Sequence, residues 1–359
     1  MKILILDDSI PGNTNQSSGI AEALNPNFQM FSVDFKGPSY RLPGRKGSVK
    51  IAAKIIGLLL RLKAYRCAYK AYRYLSKNGM PKNLYDIVIS AGSYLAPVNL
   101  LISKKINAKS ICVMTPDGLP LEEFDLLIVP FHDAARYPKI RKSRNIFFTL
   151  GAPNRITHLL LNREKEKLLN EIKLKEGSIK AGVIIGGNDQ NYFIDDRWAK
   201  MLFDLLKKLS DDNFVFLITV SRRTPEEVIE FLRKNSYDIN PAYCEFPGTK
   251  HGIHYFGILG VCDILFVTED SVTMISEACS TGKPVVILGV NRRKRKQIPF
   301  DMTIRKLVEK GYCIYTGMND SEKIVETVKK MLRKKVFPIL NESKKCALKI
   351  KELMNQTES

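Results

Sequence analysis

Residues 268–284 read Thr-Glu-Asp-Ser-Val-Thr-Met-Ile-Ser-Glu-Ala-Cys-Ser-Thr-Gly-Lys-Pro. The apolar run Ile264–Val267 leads into this stretch, and Pro284–Leu288 leads out of it. Short runs of that kind, rich in β-branched residues, read as buried strands. Between them Asp270 or Ser271 is a good helix N-cap, while Gly282, placed as a C′ residue with Pro284 just beyond, is a stop signal. The order is strand, polar turn, helix, glycine, strand, which is one crossover of a parallel sheet. In doubly wound sheets ligands sit outside the carboxyl ends of the strands, where a helix N-terminus offers free N–H groups. The turn residues Glu269, Asp270 and Ser271 and the first-turn Met274 thus fall at a candidate anion site, and a diphosphate suits it electrostatically.

Working outward, the same alternation fills the chain. Expected strands in the first half are Lys2–Leu6, Met30–Val33, Asp86–Ser90, Ser110–Met114, Leu126–Val129 and Ile146–Thr149. In the second half they are Ala181–Ile185, Phe214–Thr219, Ala242–Glu245, Ile264–Val267, Pro284–Leu288 and Cys313–Tyr315. Strands alternating with helical patterns predict parallel α/β sheets covered by helices. A length of 359 residues exceeds what one core usually serves. The pattern divides into a domain over 1–155, a charged linker helix over 156–180, a second domain over 181–330, and a helical tail over 331–359 that packs back on the first domain. The expected architecture is two doubly wound halves facing a cleft.

Two more loops should reach the ligand edge of the second half. Gly186-Gly187-Asn188 lets backbone approach a ligand closely. Ser221-Arg222-Arg223-Thr224-Pro225 opens a helix, and two arginines are poorly placed for the helix dipole there. An anionic ligand is expected to offset them.

The chain carries 57 Lys+Arg against 37 Asp+Glu, a formal net charge of +20. Such an excess points to an anionic partner: nucleic acid, an anionic membrane, or phosphorylated substrates. Most of the excess lies in one segment. From Lys36 to Tyr85 there is no acidic residue, and the basic ones include Arg41, Arg45, Lys46, Lys50, Lys54, Arg61, Lys63, Arg66, Lys70, Arg73 and Lys77. Ile51, Ile55, Leu58, Leu59 and Leu62 form an apolar face at helical spacing, with Tyr65, Tyr69, Tyr72 and Tyr74 following. Residues 45–77 read as an amphipathic element able to lie on an anionic membrane; a domain helix with a solvated basic face is the alternative. Nucleic acid is not expected, since no recognition motif accompanies the charge. A second basic run, Arg292–Lys296, follows a strand end and could meet phosphates or lipid head groups.

Seven dispersed cysteines and four histidines give no zinc spacing, and they read as reduced thiols in a cytosolic setting. No signal peptide and no spanning segment is expected, because Ile51–Leu62 is cut by Lys54, Gly57 and Arg61. The acidic pairs Asp7-Asp8 and Asp195-Asp196 read as caps, and no metal is expected.

The 268–284 stretch resembles the nucleotide-sugar domain of GT-B glycosyltransferases, in which a Glu followed by Gly and Pro holds the ribose hydroxyls. Glu277, Gly282 and Pro284 match that pattern. More closely, the chain resembles the mitochondrial-fission ELM family of plants and its bacterial relatives. The matching stretches are Pro-Gly-Asn-Thr-Asn-Gln at 11–16, Phe-Asp-Leu-Leu-Ile-Val-Pro-Phe-His-Asp at 124–133, Thr-Leu-Gly-Ala-Pro-Asn-Arg-Ile-Thr at 149–157, Ser-Arg-Arg-Thr-Pro at 221–225, and 268–284. The resemblance implies Rossmann-like domains of GT-B architecture. It also implies a nucleotide-activated sugar as donor substrate, with no separate cofactor and no bound metal, and it adds Gly12, Asn13 and Gln16 as binding candidates. It departs at Asn13, where many bacterial relatives carry His, and at Gly252-Ile253-His254-Tyr255, where Asn-Pro-Tyr is usual. Three functions follow as expectations: a glycosyltransferase, a non-catalytic interaction protein recruited to a membrane, or a nucleotide-sugar epimerase.

Glycosyl transfer needs a base for the acceptor and positive groups for the departing diphosphate. Arg222, Arg223 and the helix start at Ser271 are candidates for the second task. Asp8, Asp117, His132 and Asp133 are candidates for the first, each at or after a strand's carboxyl end.

Overall fold

The computed structural model describes residues 1–36, 45–136, 144–239, 241–246, 254–294, 297–334 and 336–356. They form two compact units, one of residues 1–155 and 341–359 and one of residues 156–340.

In the first unit the chain runs β1 (Ile3–Asp7), α1 (Pro11–Leu24), β2 (Phe28–Ser32), α2 (Arg45–Arg61), α3 (Tyr65–Leu75), β3 (Ile87–Ala91), α4 (Ala96–Ile106), β4 (Lys109–Val113), β5 (Leu126–Pro130), α5 (Asp133–Arg136) and β6 (Ile146–Thr149). Its six strands are parallel in the order β2-β1-β3-β4-β5-β6. In the second unit follow α6 (His158–Glu171), β7 (Ile179–Ile185), β8 (Tyr192–Phe193), α7 (Asp196–Ser210), β9 (Phe214–Val220), α8 (Glu226–Asn235), β10 (Pro241–Glu245), α9 (Tyr255–Val261), β11 (Ile264–Thr268), α10 (Val272–Cys279), β12 (Val285–Leu288), β13 (Asn291–Arg292), α11 (Pro299–Glu309), β14 (Ile314–Thr316) and α12 (Ser321–Leu332). Its main sheet is also parallel, in the order β10-β9-β7-β11-β12-β14. The last helix, α13 (Glu342–Asn355), returns to the first unit.

Both sheets reverse strand order, so each is doubly wound and has a crevice at the carboxyl ends of its strands. Helices cover both faces, which is why the strands are near-continuous apolar runs such as Ile-Leu-Phe-Val. In the first unit Leu4, Leu6, Val88 and Val129 pack with α2, α3 and α4, while Ile3, Ile5, Ile87 and Ile89 pack with α1 and α13. The contact of α1 is close. A Cβ at Gly19 would lie 2.2 Å from the Asn154 carbonyl oxygen, so only glycine fits there. The expected linker stretch contains α6, which packs on α9 inside the second unit. Two short strands, β8 and β13, pair antiparallel and have no counterpart among the expected strands.

The basic segment differs from its reading in one respect. It is two helices, broken at Lys63, which sits at φ +56°. Helix α2 turns Ala52, Ala53, Ile56 and Leu60 into the core, not the expected apolar face. Ile51, Ile55, Leu58 and Leu62 are exposed instead, by 41% to 68%, and Leu59 is half-buried. The helix is apolar on two faces, and the one made partly of alanine is the one that can approach the sheet closely. Tyr72 of α3 is buried and donates to the Gly79 carbonyl at 2.7 Å. Arg41 and the side chains of Arg45 and Lys46 lie outside the described residues.

Candidate functional site

The carboxyl edge of the second sheet is built from three loops that lock together. The first follows β7. Gly186 donates its N–H to Thr268 Oγ1 at 2.7 Å, and Gly187 donates to Asp270 Oδ2 at 3.0 Å. The second follows β9. Asn188 donates to the Arg223 carbonyl at 3.0 Å, and the Thr224 hydroxyl donates to the Gly186 carbonyl. The third follows β11. Thr268 donates to Asp270 Oδ1 at 2.6 Å, and Arg223 Nη2 donates to Asp270 Oδ2 at 2.8 Å. Asp270 is therefore the knot, and burial pushes its carboxyl above the usual aspartate range despite these donors.

This geometry alters several expectations. The glycines approach protein, not an open ligand space: a Cβ on Gly186 would lie 2.1 Å from Asp270 Oδ1, and one on Gly187 would lie 2.1 Å from the Arg223 carbonyl. The anion that offsets Arg223 is Asp270 itself. Glu226 and Glu227 in the first turn of α8 further suit its dipole. Glu269 is also engaged internally. It accepts from Arg292 Nη2 at 2.6 Å and from the Val290 N–H at 2.9 Å. Arg292 also pairs with Asp301 at 2.8 Å and lies over the Tyr192 ring, and Arg293 lies over Phe193. Of the second basic run, then, two members pin the β8–β13 ribbon; Lys294 is exposed, and Arg295 and Lys296 lie outside the described residues.

Two features of this edge face outward. Arg222 is exposed and has no hydrogen bond or ion pair among the described residues. Ser271, not Asp270, caps α10: its Oγ accepts from Met274 N at 3.4 Å, and the first-turn residues 271–274 are half-buried. The remaining first-turn N–H groups of the helix point toward this edge. Glu277 lies in the second turn, buried, and accepts from the Tyr255 hydroxyl at 2.7 Å. Burial first, and then that carboxylate, holds the Tyr255 phenol well above its ordinary range, so Tyr255 is a donor at any physiological pH. The phenol fixes the carboxylate's orientation. Tyr255 belongs to the departing segment 252–255; Gly252 and Ile253 lie outside the described residues. A phenol as a partner for Glu277 was missed by sequence reasoning, since nothing local links positions 22 apart. Gly282 takes φ +71°, but the C-cap is Ser280, so the glycine falls one place beyond C′.

The candidates of the first unit fall into three places. Asp8 directly follows β1, accepts from Asn13 Nδ2 at 2.9 Å and from the Ile10 N–H at 3.0 Å, and its pKa is raised by burial. Asn13 in turn lies against Gly92, whose φ of +92° and lack of a Cβ leave room for the amide. Gly12 faces open space, and Gln16 is buried and donates to the Gly12 carbonyl at 3.3 Å. The second group follows β4 and β5: Thr115 Oγ1 donates to Asp133 Oδ2 at 2.6 Å, and His132 Nε2 is 3.8 Å from Asp133 Oδ1. Burial lowers the His132 imidazole below its ordinary pKa, against the opposing pull of Asp133. Asp117 joins neither group; it is exposed and borders a cavity beneath α2. Asp7 accepts from Ser9 N–H, and Asp195 caps α7, as expected of turn and cap residues. Among the described residues no three of His, Cys, Asp and Glu gather as a metal site, and no helix is long and apolar enough to cross a membrane.

Set against known proteins, residues 11–354 match the family described as Mitochondrial fission ELM1. An uncharacterised protein of Rickettsia prowazekii is 27% identical over 377 residues, covering 93% of this chain and 99% of that one. The mitochondrial fission protein ELM1 of Arabidopsis thaliana is 28% identical over 249 residues, covering 64% of this chain and 55% of that one. Among solved structures, the UDP-GlcNAc 2-epimerase of Methanocaldococcus jannaschii in complex with UDP-GlcNAc and UDP superposes with a TM-score of 0.55 at 17% identity, covering 99% of this chain and all of that one. The glycosyltransferase of kitacinnamycin superposes at 0.52 and 12% identity, with 98% of each chain covered. The shared feature is a fold of two Rossmann-like domains, the GT-B type.

Proposed function

The chain belongs to the mitochondrial fission ELM1 family, and from that premise we propose that it is a metal-independent glycosyltransferase using a nucleoside diphosphate sugar. In this reading it acts in the cytoplasm, held peripherally on a membrane, on a lipid-linked acceptor. One observation carries it. The cap of α10 at Ser271 and the exposed guanidinium of Arg222 stand on loops that the Arg223–Asp270 bond locks to one edge. A cation and a helix N-terminus carried on loops that are locked together suit the charge that develops on a departing diphosphate. The nucleotide-sugar ligand of the epimerase with this fold supports the same class of ligand.

This reading assigns the following roles. Arg222 and the first-turn amides of α10 take the diphosphate. Glu277, oriented by Tyr255, takes the ribose hydroxyls. Within the first unit, His132 is favoured over Asp8 as a base, because burial lowers its imidazole toward the neutral, proton-accepting form.

Calorimetric titration with UDP, GDP, CDP and ADP and with their sugars tests the reading. One nucleotide should bind saturably, and Arg222→Ala should weaken it about 10-fold or more, the worth of a charge-assisted hydrogen bond. Folded protein that binds none of them sinks the proposal. A second reading, a non-catalytic family member, draws on Asn13, a neutral amide that cannot serve as a general base. It predicts binding without turnover and full biological activity in Glu277→Ala. Turnover of a bound sugar nucleotide without any acceptor would instead mark an epimerase.

A further inference from the structure

Beneath α2 lies a cavity of about 250 Å³, lined among others by Lys54, Leu58, Arg61, Tyr94, Pro97 and Asp117. Its floor is the start of α4, and its far wall is the loop after β4, at the carboxyl edge of the first sheet. Gly57 opens it, since the side chain of any other residue would project toward Pro97 and Leu119. Lys54 and Arg61 have no hydrogen bond or ion pair among the described residues, and Lys50, one turn before Lys54, lies over the Tyr94 ring at 5.1 Å. The lining thus holds two cations against one carboxylate, Asp117.

An exposed apolar stripe of α2 meets this cavity at Leu58. Ile51, Ile55, Leu58 and Leu62 follow the i, i+4, i+7, i+11 spacing of one helix stripe, and each is at least 41% exposed. The core already has its own face of α2, and among the described residues this second stripe is not part of the unit's buried core. Leu58 belongs to both stripe and cavity, so the apolar surface runs directly into the cationic pocket. No acidic residue occurs between Lys36 and Tyr85 to oppose an anionic surface. An exposed leucine and isoleucine row, continuous with unpaired Lys and Arg, matches an amphiphile with an apolar tail and an anionic head.

We propose that this cavity seats the phosphate head of an anionic membrane lipid between Lys54 and Arg61, with the lipid's chain along Ile51, Ile55, Leu58 and Leu62. The pocket opens beside Asp117, so a head-group hydroxyl next to the phosphate would find an acceptor there. The inference rests on the reading above only in treating that lipid as an acceptor; lipid binding is measured independently of nucleotide binding.

The experiment is flotation of the full chain with phosphatidylcholine vesicles, alone and with about one-third phosphatidylglycerol. Wild type should float with the anionic vesicles and stay behind with the neutral ones. Lys54→Glu with Arg61→Glu should weaken anionic binding by about 10-fold or more, whereas Lys200→Glu with Lys207→Glu, the same charge change on exposed positions of α7, should leave it nearly intact. Leu58→Ser with Leu62→Ser should weaken it with the charge unchanged. Thermal melts and the nucleotide titration are run on each variant; Lys54→Ala with Arg61→Ala replaces the reversal if it fails to fold. Equal losses from both charge pairs, equal binding to both vesicles, or no flotation at all would each overturn the site. Nucleotide binding that survives without flotation rejects the lipid site alone.

Discussion

At the scale of single residues, the two glycines after β7 show how one letter can be legible while its purpose is not. Gly186-Gly187 stands out in the sequence as a place of close approach. What approaches is decided by loops 38 and 83 positions further on, which bring the Thr224 hydroxyl and the Asp270 carboxylate. Gly187→Ala would set a Cβ 2.1 Å from the Arg223 carbonyl, backbone that has little room to yield. Such overpacking costs about 1–3 kcal/mol. Chemical denaturation should show a loss in that range. The nucleotide titration should weaken in parallel, because the Arg223–Asp270 bond moves with the clash.

At the scale of elements, periodicity located the helices but could not choose their faces. Helix α2 carries apolar residues on two sides, and the alternatives differ only in which side finds the sheet. Helix ends depend equally on distant partners. Beyond the local bond from Cys262 N–H to Ile258, the carbonyls at the end of α9 are satisfied by Lys283, whose ammonium donates to Leu259 at 2.7 Å, Gly260 at 2.7 Å and Cys262 at 2.6 Å. The sequence shows this lysine only as part of a Gly-Lys-Pro stop. Lys283→Met keeps the apolar stem and removes the donor, leaving three carbonyls without it. A loss of about 2–3 kcal/mol is expected in denaturant melts, since a hydrogen bond to a charged group is worth that much. Because α9 begins with Tyr255, the same change should loosen the phenol that orients Glu277.

At the scale of the whole molecule, the chain passes from the first unit to the second between residues 155 and 156 and returns between 340 and 341. The returning α13 buries Cys346, Ala347 and Ile350 against the face that holds Ile20. Glu342 accepts the Leu150 N–H at 3.3 Å, and Ser343 joins both backbone groups of Asn154 at 2.8 Å and 2.6 Å. Removing residues 341–359 strips those partners from the first unit and none from the core of the second. Calorimetry of the truncated chain should therefore show the transition of the first unit lowered or lost, with that of the second kept.

The twelve strands of the two parallel sheets, the capped helix after β11 and the basic, acid-free segment are legible in the residues alone. Strand period, cap chemistry and charge density act within a few residues, so they can be read without a fold. Only the tertiary structure decided that Asp270 answers Arg223, that Glu269 binds Arg292, and that the leucine stripe of α2 is left outside. Those outcomes pair residues 47 and 23 positions apart, or weigh one helix face against another, and such contacts exist only once the sheet has brought its loops to a common edge.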